Sequence, residues 1–184
     1  MHRFGLVSTA GMTTTLAQTA YRMRSITPRD QAGLSAFYAD LSPDSRASRF
    51  HGVAPRIPDA TASFFCGPDH QHREGIVAEC IDASGAPVII GHVCIEPLDD
   101  DVAEVAIAVV DAWRGHGVGR ALLARAIAWA QAHAIARLAA SILFGNAAMF
   151  GLLRSLGYPI TYGPSAGGTI DAYLDLRSTR PLAA

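Results

Sequence analysis

The 184-residue chain predicts an α/β (α+β) domain over residues 21–176, with six to seven strands and about four helices. Three observations carry this. Short alternating or β-branched runs recur along the chain, as strands do. Two of them, Gly75–Asp82 and Pro87–Ile95, are separated only by Ala83-Ser-Gly-Ala, which makes a hairpin. The apolar run Glu104–Val109 leads through the turn Asp111-Ala-Trp-Arg114 into Gly115-His-Gly117-Val-Gly119. A strong helix former follows from Ala121, so strand, glycine loop and helix come in that order.

The elements follow along the chain. Residues 1–20 are rich in Thr, Ala and Gly without periodicity, and Phe4-Gly-Leu-Val is too short for the centre of a signal peptide. A loosely attached leader is expected there. Tyr21-Arg-Met-Arg-Ser-Ile alternates as a first strand. Thr27 then caps a helix with Pro28 at its first position, continuing through Ala32 to Leu41. Ser42 caps a second helix that ends near Phe50. The hairpin comes next, with His92 expected to pack within the sheet, a catalytic role being the alternative. Pro97–Asp101 carries three aspartates and reads as a solvated turn, and Glu104–Val109 is the next antiparallel strand. The helix from Val118 to about His133 has its apolar residues at 122, 123, 126, 127 and 130, one stripe that covers the sheet. Arg137–Leu143 is the fifth strand, and Gly145–Tyr158 is a helix ending in glycine. Ile160–Tyr162 and Thr169–Leu176 are the last strands, and residues 177–184 form a tail.

Composition narrows the function. Half the residues are hydrophobic and the formal net charge is −1, so no nucleic-acid partner is expected. No apolar run reaches the length of a membrane span. Cys66, Cys80 and Cys94 are odd in number and lack metal-ligand spacing, which fits a cytoplasmic setting. Cys66, His70 and His72 lie close in sequence, but Gly67–Arg73 reads as a loop, and no metal is expected.

The glycine loop points to a phosphate ligand. Alternating glycines let the backbone approach a ligand and adopt positive φ. The following helix start offers unpaired N–H groups and partial positive charge. Arg114 and Arg120 flank it and add charge for a pyrophosphate. Neither common nucleotide motif fits. The third glycine comes one residue early for the dinucleotide fingerprint, and Gly119 precedes Arg120 rather than Lys-Ser/Thr. Glu104 stands at the head of an apolar strand, where a carboxylate costs desolvation unless paired or wet. It is either an edge glutamate paired to an arginine or a general base.

Arg114-Gly-His-Gly117-Val-Gly119 resembles Arg/Gln-x-x-Gly-x-Gly/Ala, the pyrophosphate loop of the GNAT superfamily of acyl-coenzyme A N-acyltransferases. Leu41-Ser-Pro-Asp-Ser45 with Arg49-Phe50 resembles a segment of bacterial GNAT domains of the protein-lysine acetyltransferase type. Asn146 through Gly157-Tyr158 resembles the family segment along the pantetheine arm. The resemblance implies a central, mostly antiparallel, twisted sheet that splays after its fourth strand. It implies acetyl-coenzyme A as cosubstrate and a primary amine as acceptor, on a protein lysine or a small molecule. Its cofactor-binding residues would be Ile107, Ala108, Val109, Arg114, Gly115, His116, Gly117, Val118, Gly119, Arg120 and Asn146. Ala103-Glu104-Val105 matches the place of the family's catalytic base, and the Val109 N–H would face the oxyanion. The Leu41–Phe50 segment would border the acceptor; read by itself, it is a capped helix with arginines on its wet face. Two positions depart from the family. Leu153 stands where many members have an acidic tyrosine, and Ser141 where many have a glutamate. These departures keep a second reading open, a catalytically weak acyl-coenzyme A binding module with a regulatory role. A nucleotide-phosphate binder outside the family is a third. Pairing through an exposed edge strand would give a homodimer.

Overall fold

The computed structural model describes residues 21–52 and 56–178. The expected leader, residues 1–20, and most of the expected tail lie outside them. Seven strands form one sheet: β1 Arg22–Ser25, β2 Glu74–Ile81, β3 Pro87–Asp99, β4 Val102–Val109, β5 Arg137–Leu143, β6 Ile160–Ala166 and β7 Thr169–Asp175. Among the described residues the α-helices are α1 Gln31–Asp40, α2 Pro43–Phe50, α3 Asp59–Cys66, α4 Val118–Ala132 and α5 Ala147–Ser155. The strand order is β1-β2-β3-β4-β5-β7-β6. Every pairing is antiparallel except β4 with β5.

Local chemistry explains the ends. Thr27 does not begin α1 directly. Its N–H and hydroxyl both donate to the Asp30 carboxylate, at 2.8 and 2.9 Å, and a single 3-10 turn over Pro28–Asp30 comes first. Ser42 caps α2 as expected, its hydroxyl accepting the Ser45 N–H at 3.2 Å. The alternation in β1 places Arg22 and Arg24 against Glu79, which is 2% exposed. A carboxylate so buried needs such partners.

Two expectations are corrected. Pro97–Asp101 is not simply a solvated turn, because β3 runs on to Asp99 and pairs with β4 at Val102. A fifth helix, α3, occupies a stretch with no legible stripe. It is held by tertiary contacts: Ala62 and Cys66 are buried, and the Arg73 guanidinium lies 3.6 Å from the centre of the Phe64 ring.

Helices cover both faces of the sheet. Tyr38 of α1 and Phe65 of α3 close on His92 of β3. A Cβ built on Gly91, one residue away, would meet Leu122 and Val118 of α4. Successive strand residues face opposite sides, so α1 and α3 cover one face and α4 the other. Ile26, Leu34, Val77, Val93, Leu122 and Leu138 lie in the resulting core.

The sheet opens between β4 and β5. Their pairing covers only Val102, Ala103 and Glu104 against Arg137, Leu138 and Ala139. Beyond Glu104 the strands part, while β4 stays paired with β3 as far as Val109.

Candidate functional site

The opening between β4 and β5 is a cavity of about 660 Å³. One wall is the free edge of β4. The Val110 N–H donates to the Ile90 carbonyl of β3 at 3.0 Å. In a strand, alternate residues turn their backbone groups to the same side. Ile107 and Val109 therefore turn their N–H and C=O groups away from β3, into the opening. A row of unpaired backbone groups is a template for a ligand with amides of its own.

The glycine loop closes one end. Gly115 has φ +74° and Gly117 φ +82°, left-handed values that disfavour other residues, and a Cβ at either position would meet nothing within 4 Å. Conformation, not packing, calls for glycine there. The first helical bond of α4 runs from the Ala121 N–H to the Gly117 carbonyl, at 3.0 Å. The N–H groups of Val118, Gly119 and Arg120 precede it at the helix start, and Gly117 supplies no side-chain cap. With Arg114 and Arg120 beside them, these N–H groups have the chemistry to hold an anion.

Arg114 ties the loop to α2. Its guanidinium lies 3.1 Å from Asp111 and donates to the Ser45 hydroxyl at 2.6 Å. Asp111 also accepts the Ser42 N–H at 3.1 Å and the Ser45 hydroxyl at 3.0 Å. Burial works against the Asp111 carboxylate, but these donors and the Arg114 charge outweigh it and lower its pKa.

Helix α5 forms the far wall. Asn146 caps it, its Oδ1 accepting the Met149 N–H at 3.0 Å. Ala148, Met149 and Leu152 face the cavity, and Ser141 of β5 joins them. Leu153 is buried in the core instead. None of these side chains is an acid.

Toward the end of the cavity away from the glycine loop, β3 and β4 present residues in register. His92 pairs with Ala108, Cys94 with Ala106, and Glu96 with Glu104. Glu104 is half-buried and lines the cavity. Burial pushes the Glu96 carboxyl up, the Arg73 charge opposes this, and Glu104 adds to it. Arg73 approaches Glu96 to 2.9 Å. Above them lies Arg49 of α2. It is not on a wet face, as the capped-helix reading expected. Its Nε is sealed and without a hydrogen-bond partner, and its Nη2 donates to Cys94 Sγ at 3.1 Å.

Ten of the twelve residues singled out from the sequence line this one cavity: Glu104, Ile107, Ala108, Val109, Arg114, Gly115, Gly117, Gly119, Arg120 and Asn146. The side chains of the other two turn elsewhere. The His116 ring is exposed and lies 2.8 Å from the Arg114 carbonyl, and Val118 is wholly buried beneath the sheet. Sequence reasoning missed the network on Asp111 and the burial of Arg49. The first had a signal, since Asp111 lies three residues before Arg114 and Ser42 three before Ser45. The second depends on Phe65, a contact that α2 does not contain. Among the described residues no group of His, Cys, Asp or Glu could hold a metal ion. His70 lies against Glu74, His72 against Asp69, and Cys66 is buried.

Residues 34–158 match the model of the acetyltransferase (GNAT) family. The GNAT domain of the PAT protein of S. lividans is 30% identical, with a TM-score of 0.75, covering 84% of this chain and 90% of that one. The yncA protein of Salmonella typhimurium, solved with acetyl-CoA, is 21% identical, with a TM-score of 0.67 and 90% and 99% covered. A GNAT superfamily phosphinothricin acetyltransferase of Sinorhizobium meliloti, also solved with acetyl-CoA, is 19% identical, with a TM-score of 0.66 and 88% and 93% covered. Compared with curated protein sequences, the chain matches none.

Proposed function

The chain belongs to the acetyltransferase (GNAT) family, and we propose that it moves an acetyl group from acetyl-coenzyme A to a primary amine, with Glu104 as the general base. One observation carries this reading. The parting of β4 from β5 puts an unpaired strand edge, a glycine-lined helix start and a carboxylate into one cavity. The residues fit the coenzyme. The helix start with Arg114 and Arg120 suits a pyrophosphate, and the backbone groups of Ile107 and Val109 suit the amides of a pantetheine arm. Asn146, Met149 and Leu152 would flank that arm.

Bound there, acetyl-coenzyme A supplies an activated acyl group as a thioester. The chain's own residues handle the proton and the charge. An alkyl amine with a pKa near that of lysine, about 10.4, is almost wholly protonated at pH 7 and has no lone pair to attack with. Glu104, directly or through a water, takes that proton. The Val109 N–H, aimed into the opening, donates to the oxygen on which negative charge develops. No acid from α5 is needed for the departing sulfur, because a thiol with a pKa near 8–9 leaves as thiolate and takes a solvent proton.

Glu104→Gln keeps the size and removes the base. General-base catalysis contributes roughly 10²–10⁴-fold. Turnover at pH 7, followed as thiol release, should fall by about that factor, while calorimetric titration with acetyl-coenzyme A changes little. Unchanged turnover in this variant would take the base role from Glu104.

A further inference from the structure

Two opposite charges line the cavity without an ion pair among the described residues, though each feels the other's field. Glu104 and Arg49 both line it, and neither forms an ion pair with another described residue. The neighbouring carboxylates are engaged, Glu96 by Arg73 and Asp111 by Arg114. Residues 1–20, 53–55 and 179–184 contain no Asp or Glu.

The surroundings of Arg49 sharpen the point. Its guanidinium lies 4.8 Å from the centre of the Phe50 ring and 5.2 Å from that of Phe65. Its Nη2 donates to a cysteine sulfur, a weak acceptor, and its sealed Nε donates to nothing. A half-buried cation that feels Glu104 but forms no ion pair with it is only partly compensated. With Nη2 on the sulfur and Nε sealed, Nη1 has no hydrogen bond to a described residue and remains to meet a carboxylate from the cavity side.

We propose that Arg49 receives a carboxylate of the acceptor, so the acceptor is a small molecule of amino-acid type. Its amine meets Glu104 and its carboxylate meets Arg49. The spacing allows this. Arg49 sits at the register step of Cys94 and Ala106, and Glu104 is one step further on the same face, two residues or roughly 7 Å along β4. A lysine side chain entering from a protein would bring an ammonium on an aliphatic stem and no anion. It would leave Arg49 unanswered and set a second cation beside it. The inference rests on the transferase reading above and specifies its acceptor.

The test compares each of the twenty amino acids with its carboxamide, and both with an N-acetylated lysine peptide, by kcat/KM in the thiol-release assay. The wild-type protein should favour one carboxylate over its carboxamide by roughly ten- to hundredfold, the worth of one charged hydrogen-bonded pair. In Arg49→Gln that ratio should collapse toward one, and Arg49→Lys should restore part of it. Intrinsic differences between the two amines cancel in the comparison of ratios. Acetyl-coenzyme A binding by each variant checks that it is folded; if neither variant binds, the wild-type preference decides alone. Equal use of carboxylate and carboxamide, better use of the lysine peptide, or an equal loss on both partners in Arg49→Gln would overturn the proposal. Absence of turnover with every amine would instead overturn the transferase reading. Calorimetric titration of the coenzyme A-loaded protein with the same pairs then decides for Arg49, and equal binding of each pair counts against it.

Discussion

His92 is 0% exposed, with its Nδ1 2.8 Å from the Tyr38 hydroxyl and its Nε2 sealed without a partner. Burial, helped by the Arg49 charge, pushes its pKa down to about 3. In the unfolded chain the same ring titrates near 6.5. Between those values the unfolded chain binds a proton that the native protein refuses, so acid favours unfolding across that window. The penalty begins as pH falls below about 6.5 and is complete near 3, with a size of a few kcal/mol. His92→Asn keeps a polar atom near Nδ1 and removes the titration. Urea unfolding from pH 7 to pH 4 should show a shallower loss of stability in the variant, by about one proton. Because the two proteins are subtracted, the shared carboxylates, Glu96 included, cancel. Parallel curves would mean that His92 takes up its proton in the native state. That His92 packs within the sheet was legible from its place in an apolar run. That Arg49 reaches it was not, because the charge and the ring lie 43 positions apart and only the fold brings them together.

The elements divide into those that carry their own signal and those made by their neighbours. Helix α4 shows its stripe and its glycine start in sequence, and the structure begins it at Val118 as expected. Helix α3 has neither and exists because Ala62 and Cys66 have a core to enter. Strand β4 was legible from its branched residues, whereas its one-sided pairing was expected only from the resemblance, which implied a sheet that splays after its fourth strand, since a strand shows its side-chain pattern and not its partners. The packing of α4 on β3 has a sharp test. A Cβ on Gly91 would lie 2.8 Å from Leu122 Cδ1 and 3.2 Å from Val118 Cγ1. Both side chains are fully buried, so neither can swing away. Gly91→Ala should cost about 1–3 kcal/mol of stability by overpacking. Because Val118 opens α4, the displacement reaches the glycine-loop end of the cavity. Thermal melts should fall and acetyl-coenzyme A affinity should weaken together. Lost stability with unchanged affinity would show that the loop is insulated from the sheet beneath it.

At the scale of the molecule, β1–β4 and β5–β7 are two sheet segments joined by a ladder of three residue pairs. A coenzyme lying in the opening would touch both, through Ile107 and Val109 on one side and α5 on the other. It would therefore act as a missing strand, and two linked consequences can be measured. Binding to the native state alone adds about 2.7 kcal/mol of stability at a hundredfold excess over Kd, so the melting temperature should climb with acetyl-coenzyme A concentration. Amide exchange should show where the contacts fall. The Val110 N–H already bonds to β3, and that of Ala108 points the same way, so both should be slow with or without ligand. Those of Ile107 and Val109 face the opening, so they should exchange quickly in the free protein and slowly in the complex. Protection confined to alternate residues is the mark of pairing along one edge, since a general tightening of the fold would slow all four alike. Slowing of all four would mean a general tightening, and slowing of none would mean that the coenzyme is held by its phosphates alone; either would take the edge-pairing role from β4.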